Sequence, residues 1–336
     1  MGYNFHKKSA TVMVALFFYF NLCTMKIMLL LISLVFNTKP IKHFTYFGRD
    51  REKIHDPAFY NNPNITGAQI RYAWRQLEPE KDIYNFSEIE EDLRFLASKG
   101  KKLFIQVQDA TFLKENHAVP KYLVADTIYH GGEARQCDDN DCYGYVARRW
   151  DPMVAERFFK LLRKLSEQFD GRIEGINLPE TSIDISEKQL PQGFSDDVYI
   201  AAIKQYMKVT RECFRRSAPI LYANFMVKGQ EGLKELYDYA EEIHMGMGGP
   251  DIKVNKPFQM ANSYPLIRAL SGKVITGVAV QDGNYDVINV KTNKKVTVPE
   301  ILDFAQNYLR LDYIFWCTEE PYYTKEVLPL LASLKK

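Results

Sequence analysis

The sequence predicts an α/β chain of the (β/α)8 class: one barrel over residues 41–336, behind a hydrophobic segment over residues 1–40. Three observations predict it. Eight short apolar runs alternate with stretches of helical period, as parallel strands joined by crossover helices require. No shift to linker-like composition divides the chain after residue 40. The main rival is an open doubly wound sheet, but no glycine-rich phosphate loop follows the first run.

The elements follow in order. Phe44–Phe47 is the first strand and Gly67–Ala73 the second. Ser87-Glu88-Ile89-Glu90 reads as a capping box opening a helix with Ile89, Leu93 and Leu96 on its apolar face, ended by Gly100. Leu103–Val107 is the third strand. A loop of about forty residues follows, long enough to suggest a role of its own. Asp151-Pro152 opens the next helix, with Asp as cap and Pro at the first helical position. Ile173-Glu174-Gly175-Ile176-Asn177-Leu178 is the fourth strand; Pro179 stops it and Glu180 stands at its carboxyl end. Ser195 caps a helix carrying Ile200, Ile203 and Met207. Ile220–Phe225 is the fifth strand. A helix near residues 232–242 leads into the sixth, Ile243–Met247. Val274–Val280 is the seventh. Val298-Pro299-Glu300 opens a helix, Tyr313–Cys317 is the eighth strand, and a helix near residues 325–334 completes the pattern.

Residues 1–40 read differently. His6, Lys7 and Lys8 give a basic start, and residues 11–36 are almost wholly apolar. This predicts an export signal or an N-terminal membrane anchor. Met25-Lys26 and the apolar run after it form a second possible start. No small-x-small cleavage site follows Phe36, so retention as an anchor stays open. The expected location is exported: periplasmic, cell-surface or secreted. Cys137 and Cys142 bracket an Asp/Asn-rich loop and suit a small disulfide in an oxidising compartment. Cys213 and Cys317 read as buried thiols. No second cysteine pair or spaced histidine pair completes a metal site, so neither metal nor cofactor is expected. A formal charge of +2 over 336 residues argues against nucleic acid as a partner. Oligomeric state is not legible.

Chemistry in a parallel barrel sits at the carboxyl ends of its strands. There the sequence sets Arg71 and Trp74, Gln108 and Asp109, Glu180, Asn224, Asp251, Gln281-Asp282 with Tyr285, and Trp316 with Glu319-Glu320. Carboxylates, amides and indoles converging on one mouth suit a polar ring held by hydrogen bonds and stacking. The expected substrate is a carbohydrate.

The stretch Gln69-Ile70-Arg71-Tyr72-Ala73-Trp74-Arg75-Gln76-Leu77-Glu78-Pro79, followed by Tyr84-Asn85-Phe86, resembles the second-strand segment of clan A glycoside hydrolases, the cellulase and beta-galactosidase-like barrels. Gly100–Ile105 and Val119–Leu123 are similar to that family's third-strand entry and the loop beyond it, and Trp316 to its floor tryptophan. The resemblance implies an acid/base glutamate after strand four and a nucleophile after strand seven. Glu180 takes the first position, though Leu178-Pro179 separates it from Asn177, where the family has Asn directly before the acid. Strand seven departs further, ending in Val280-Gln281-Asp282, and an amide is no carboxylate nucleophile. Asp282, Glu319 or Glu320 then supplies the second carboxylate, with Asp282 and Glu320 the leading candidates, or the protein is a carbohydrate-binding barrel that has lost hydrolysis. Arg71, Trp74, Asn224, Asp251, Gln281, Tyr285 and Trp316 are the expected substrate-side residues. Glu78 reads as structural.

Overall fold

The computed structural model describes residues 40–137, 141–186 and 190–335. The segment expected to be a signal or anchor, residues 1–40, falls almost wholly outside the described residues. Among the described residues no helix is long and apolar enough to cross a membrane.

Eight parallel strands close into a barrel: β1 (Lys42–Gly48), β2 (Ile65–Ala73), β3 (Lys102–Gln108), β4 (Gly175–Leu178), β5 (Ala218–Tyr222), β6 (Gly246–Gly249), β7 (Thr276–Val280) and β8 (Tyr313–Cys317). The order is β1-β8-β7-β6-β5-β4-β3-β2, with β1 pairing both β2 and β8. All eight predicted strands exist, and the alternation that predicted them reflects burial on both faces: β5, β6, β7 and β8 are buried at every residue.

The barrel is packed shut by aromatic side chains. Phe44, Phe104, Tyr313 and Phe315 meet edge-on or tilted at 5.0–5.9 Å. Such contacts satisfy the ring quadrupoles and bury the rings in the barrel interior. Gly175 makes room for them, since a Cβ there would lie 2.3 Å from the Phe104 ring. Tyr222 sits above this plug and accepts a hydrogen bond from Gln69 Nε2 at 3.3 Å. The second layer packs helices outside the strands: α1 (Ser87–Ser98), α2 (Pro152–Phe169), α3 (Asp196–Cys213) and α4 (Gly229–Ile243), with shorter helices completing the ring.

Helix starts follow local chemistry. Asp151 caps α2 through Met153 N and Val154 N, with Pro152 in the first turn. Ser195 caps α3 through Val198 N. The capping box expected at Ser87 does not form. Ser87 is the first helical residue, and Asn85 Oδ1 accepts both its N–H and its hydroxyl, at 3.1 and 2.8 Å. A capping box closes instead at Thr297–Glu300.

Two further corrections concern spans. The sixth strand begins three residues later than expected, because Ile243 is still the last residue of α4. The strand is Gly246-Met247-Gly248-Gly249, rich in glycine. A Cβ on Gly248 would lie 1.6 Å from Gly277 O, so only glycine lets β6 and β7 approach there. The long loop after β3 is also not structureless. It holds a three-stranded antiparallel sheet of Ala110–Thr111, Glu133–Cys137 and Cys142–Ala147. Cys137 and Cys142 are joined in a disulfide across the end of that hairpin.

Candidate active site

The carboxyl ends of the strands surround a cavity of about 180 Å³. Its wall includes Arg71 from β2, Gln106 and Gln108 from β3, Glu180 beyond β4, Tyr222 from β5 and Gln281 beyond β7. Pro179 ends β4 and turns the chain so that Glu180 faces this space. The Glu180 main chain is held from below: Arg149 Nη1 donates to its carbonyl at 2.9 Å. Arg149 is itself buried and clasps Asp109 with two bonds, of 2.7 and 2.8 Å. Its Nη1 also reaches Tyr199 Oη at 3.0 Å.

The Glu180 carboxyl is pushed up to about 7. Burial contributes most, followed by the negative charge of Asp251; a hydrogen bond from Asn224 and the charges of Arg149 and Lys253 oppose them. Asp251 stands just beyond β6 and is held by two neighbours. Lys253 Nζ lies 3.1 Å away, and Asn284 Nδ2 donates to it at 2.8 Å. Asn284 Oδ1 in turn accepts from Ile252 N at 2.9 Å, which fixes the amide's orientation. Asn224 Oδ1 is buried with no hydrogen-bond partner among the described residues. The Asp251 charge thus acts on a carboxyl group that burial already raises.

The structure disperses the other expected site residues. Asp282 is exposed and groups with Cys317 and Glu319, whose ligand atoms all lie within 4.8 Å of one another. Burial, with the Asp282 charge helping, pushes the Cys317 thiol up to about 12, and Glu319 Oε2 accepts from Gly283 N at 2.8 Å. Glu320 is exposed and bonds the Thr324 hydroxyl.

Three aromatic expectations are corrected. Trp74, Trp316 and Tyr285 are buried at 1% exposure or less and offer no face to a ligand. Trp316 stacks on His43 and donates to its Nδ1 at 3.3 Å. Trp74 donates to Glu78 Oε2 at 2.9 Å, and Tyr285 donates to Cys317 O at 3.2 Å. Their indole and phenol groups find partners inside the wall, as buried aromatics with a polar handle do. The Leu-Glu-Pro block is likewise a staple. Glu78 is fully buried and ion-paired with Arg157, which also binds Asp82 at 2.8 Å and Tyr122 Oη at 2.9 Å.

Sequence reading passed over Arg149, Gln106, Tyr222 and Phe112. Gln106 and Gln108 lie two apart on β3 and so share a face, a signal visible in the sequence. Arg149 had no such signal, because it enters from the loop before α2. Phe112 lines the cavity at 51% exposure and stacks on Tyr143 at 6.4 Å. A second exposed pair, Phe225 and Phe258, stacks at 5.0 Å just beyond Asn224.

A closed barrel of eight parallel strands, each followed by a crossover, is the (β/α)8 fold. Among solved structures, the chain is similar to xylanase 10B from Thermotoga petrophila RKU-1 in complex with xylobiose, with a TM-score of 0.52, 11% identity and 82% of each chain covered. It is also similar to a thermostable mutant of a xylanase from Cellvibrio japonicus, with a TM-score of 0.50 and 11% identity over 83% of this chain and 87% of that one. Endo-glycoceramidase II from Rhodococcus sp., in a cellobiose-like imidazole complex, gives 0.51 and 11% over 84% of this chain and 74% of that one. No protein-family model matches the sequence, and no curated protein matches it. At this identity the likeness establishes the fold.

Proposed function

We propose that the protein is a glycoside hydrolase that cleaves an oligo- or polysaccharide, with Glu180 as its general acid. One observation carries this reading: a carboxyl group at the end of β4 lines a cavity at the barrel mouth and is pushed up to about 7. Glycoside cleavage needs one protonated carboxyl for the leaving oxygen and one ionised carboxylate to meet the developing positive charge or to activate water. Glu180 fits the first role. Asp251 is the best-supported partner, because its charge acts on Glu180 and Lys253 and Asn284 hold its side chain in place. Asp282 and Glu320 stay as rivals for that role. The solved structures of similar fold include two xylanases and an endo-glycoceramidase, which supports a carbohydrate substrate. The Cys137–Cys142 disulfide, together with the apolar run in residues 11–36, supports an exported protein, with membrane attachment through that run as an open variant.

The test is release of reducing sugar from a broad glycan panel. Wild-type protein is expected to cleave at least one glycan, and Glu180→Gln to lose on the order of 10²-fold or more in kcat. Full activity of Glu180→Gln on every cleaved glycan would sink the reading. A second reading, a non-hydrolytic carbohydrate-binding barrel, is favoured by Gln281 in the cavity wall at the strand-seven position. Glycan binding without turnover across the panel would select it.

A further inference from the structure

Arg71 lines the cavity, the exposed Arg49 lies near it just beyond β1, and both are held only by neutral side chains. Arg71 Nε donates to Gln106 Oε1 at 2.9 Å, and Arg71 Nη2 donates to the Tyr46 hydroxyl. Arg49 Nη2 donates to Gln108 Oε1 at 3.0 Å. Neither arginine forms an ion pair among the described residues. The contrast is local: Arg149 and Arg157, which also reach under the barrel mouth, each hold a buried carboxylate, Asp109 and Glu78. Arg49 and Arg71 are close enough to repel each other, which adds to the effect of partial burial in holding Arg49 below its usual range.

Beside the two arginines the wall supplies amides. Gln106, Gln108 and Gln281 line the cavity with Arg71. The Gln106 and Gln108 carbonyls are turned toward the two arginines, and their amino groups are spent elsewhere, on Asn177 Oδ1 and Ala110 O, each at 2.7 Å. The cavity wall also holds Glu180, and the charge of Asp282 acts on Tyr46. Asp282 forms no ion pair with either arginine. Two like charges gathered without a counter-ion are costly, and an anion bound between them removes that cost. Free guanidinium N–H groups in a planar fork match a carboxylate or an ester oxyanion better than a neutral hydroxyl.

We propose that the Arg49–Arg71 pair binds an anionic substituent of the sugar, so that the substrate is a charged glycan bearing a uronate carboxylate or a sulfate ester. This inference rests on the glycoside hydrolase reading and names the substrate class of the same cavity.

The test uses full-length Glu180→Gln protein, to prevent turnover. Three oligosaccharide sets of matched length are titrated calorimetrically: uronate-bearing, sulfated and neutral. At least one anionic set is expected to bind ten-fold or more tighter than the neutral set. That preference is expected to fall to about two-fold or less in Arg49→Gln and to be kept in Arg163→Gln, an exposed arginine on α2. Arg49→Lys is expected to restore part of it, since the charge returns without the planar fork. Preference for uronates or for sulfates tells the two sources apart, and either supports the proposal. Neutral glycans binding as tightly as both anionic sets would overturn it, as would an anionic preference untouched by Arg49→Gln. Cleavage of neutral glycans that still depends on Glu180 would separate the two readings, because the hydrolase survives and the charged substrate does not. No binding of any glycan would end both.

Discussion

Arg149 Nη1 donates to the main-chain carbonyl of Glu180 at 2.9 Å while the same guanidinium clasps Asp109 from both sides. The proposed acid therefore hangs from an ion pair that is 2% and 0% exposed at its two side chains. Removing one partner leaves the other charged and buried without compensation. Arg149→Met and Asp109→Asn are each expected to cost on the order of 3–5 kcal/mol in chemical denaturation. Arg149→Met combined with Asp109→Asn is expected to cost clearly less than the two single losses together, because no buried charge is left behind. Additive losses would show that the ion pair is not the unit that matters.

Glu180 sets a pH dependence of stability whose sign is fixed. Its carboxyl is raised in the folded protein, mainly by burial and then by Asp251, to about 7. Folding therefore favours the protonated form. The stability tied to that form is complete below about pH 4.5 and is lost as pH rises through about 7. Glu180→Gln mimics the neutral acid at every pH. Relative to wild type, it is expected to gain on the order of 2–3 kcal/mol in going from pH 4 to pH 8. Denaturation curves of both proteins at the two pH values check this, and a pH-independent difference would place Glu180 in a water-like setting.

Asp251 is expected to act on the rate as well as on its neighbour. On any cleaved glycan, wild-type activity should fall as pH rises through about 7, where Glu180 loses its proton. Asp251→Asn removes a charge that raises Glu180, so the alkaline limb should move to lower pH. If Asp251 is also the carboxylate opposite the acid, kcat should drop by about 10²–10⁴. A moved limb with little loss of kcat would leave Asp251 as a tuning group and return the partner role to Asp282 or Glu320. An unmoved limb would exclude Asp251 from both roles.

The sequence by itself determined the barrel and the place of Glu180 within it. Alternating apolar runs and helical stretches are local signals, and burial of parallel strands on both faces writes those runs directly into the residues. Pro179 ending β4 and Asp151-Pro152 opening α2 are likewise signals of a few adjacent residues. The reason for glycine in β6 is distant along the chain: Gly248 is small for the sake of Gly277 O on the next strand.

The site's chemistry was decided only by tertiary structure. Trp74, Trp316 and Tyr285 stand at strand ends in the sequence, yet each turns into the wall to satisfy a buried polar partner. Asp251 becomes Glu180's neighbour because closure of the barrel brings the ends of β4 and β6 to one mouth, seventy residues apart along the chain. Arg149 reaches Glu180 from the loop before α2, and Arg49 and Arg71 meet across β1 and β2. Charge interactions fall off with distance through space and take no account of distance along the chain, so which charges face one another follows from the closed barrel alone.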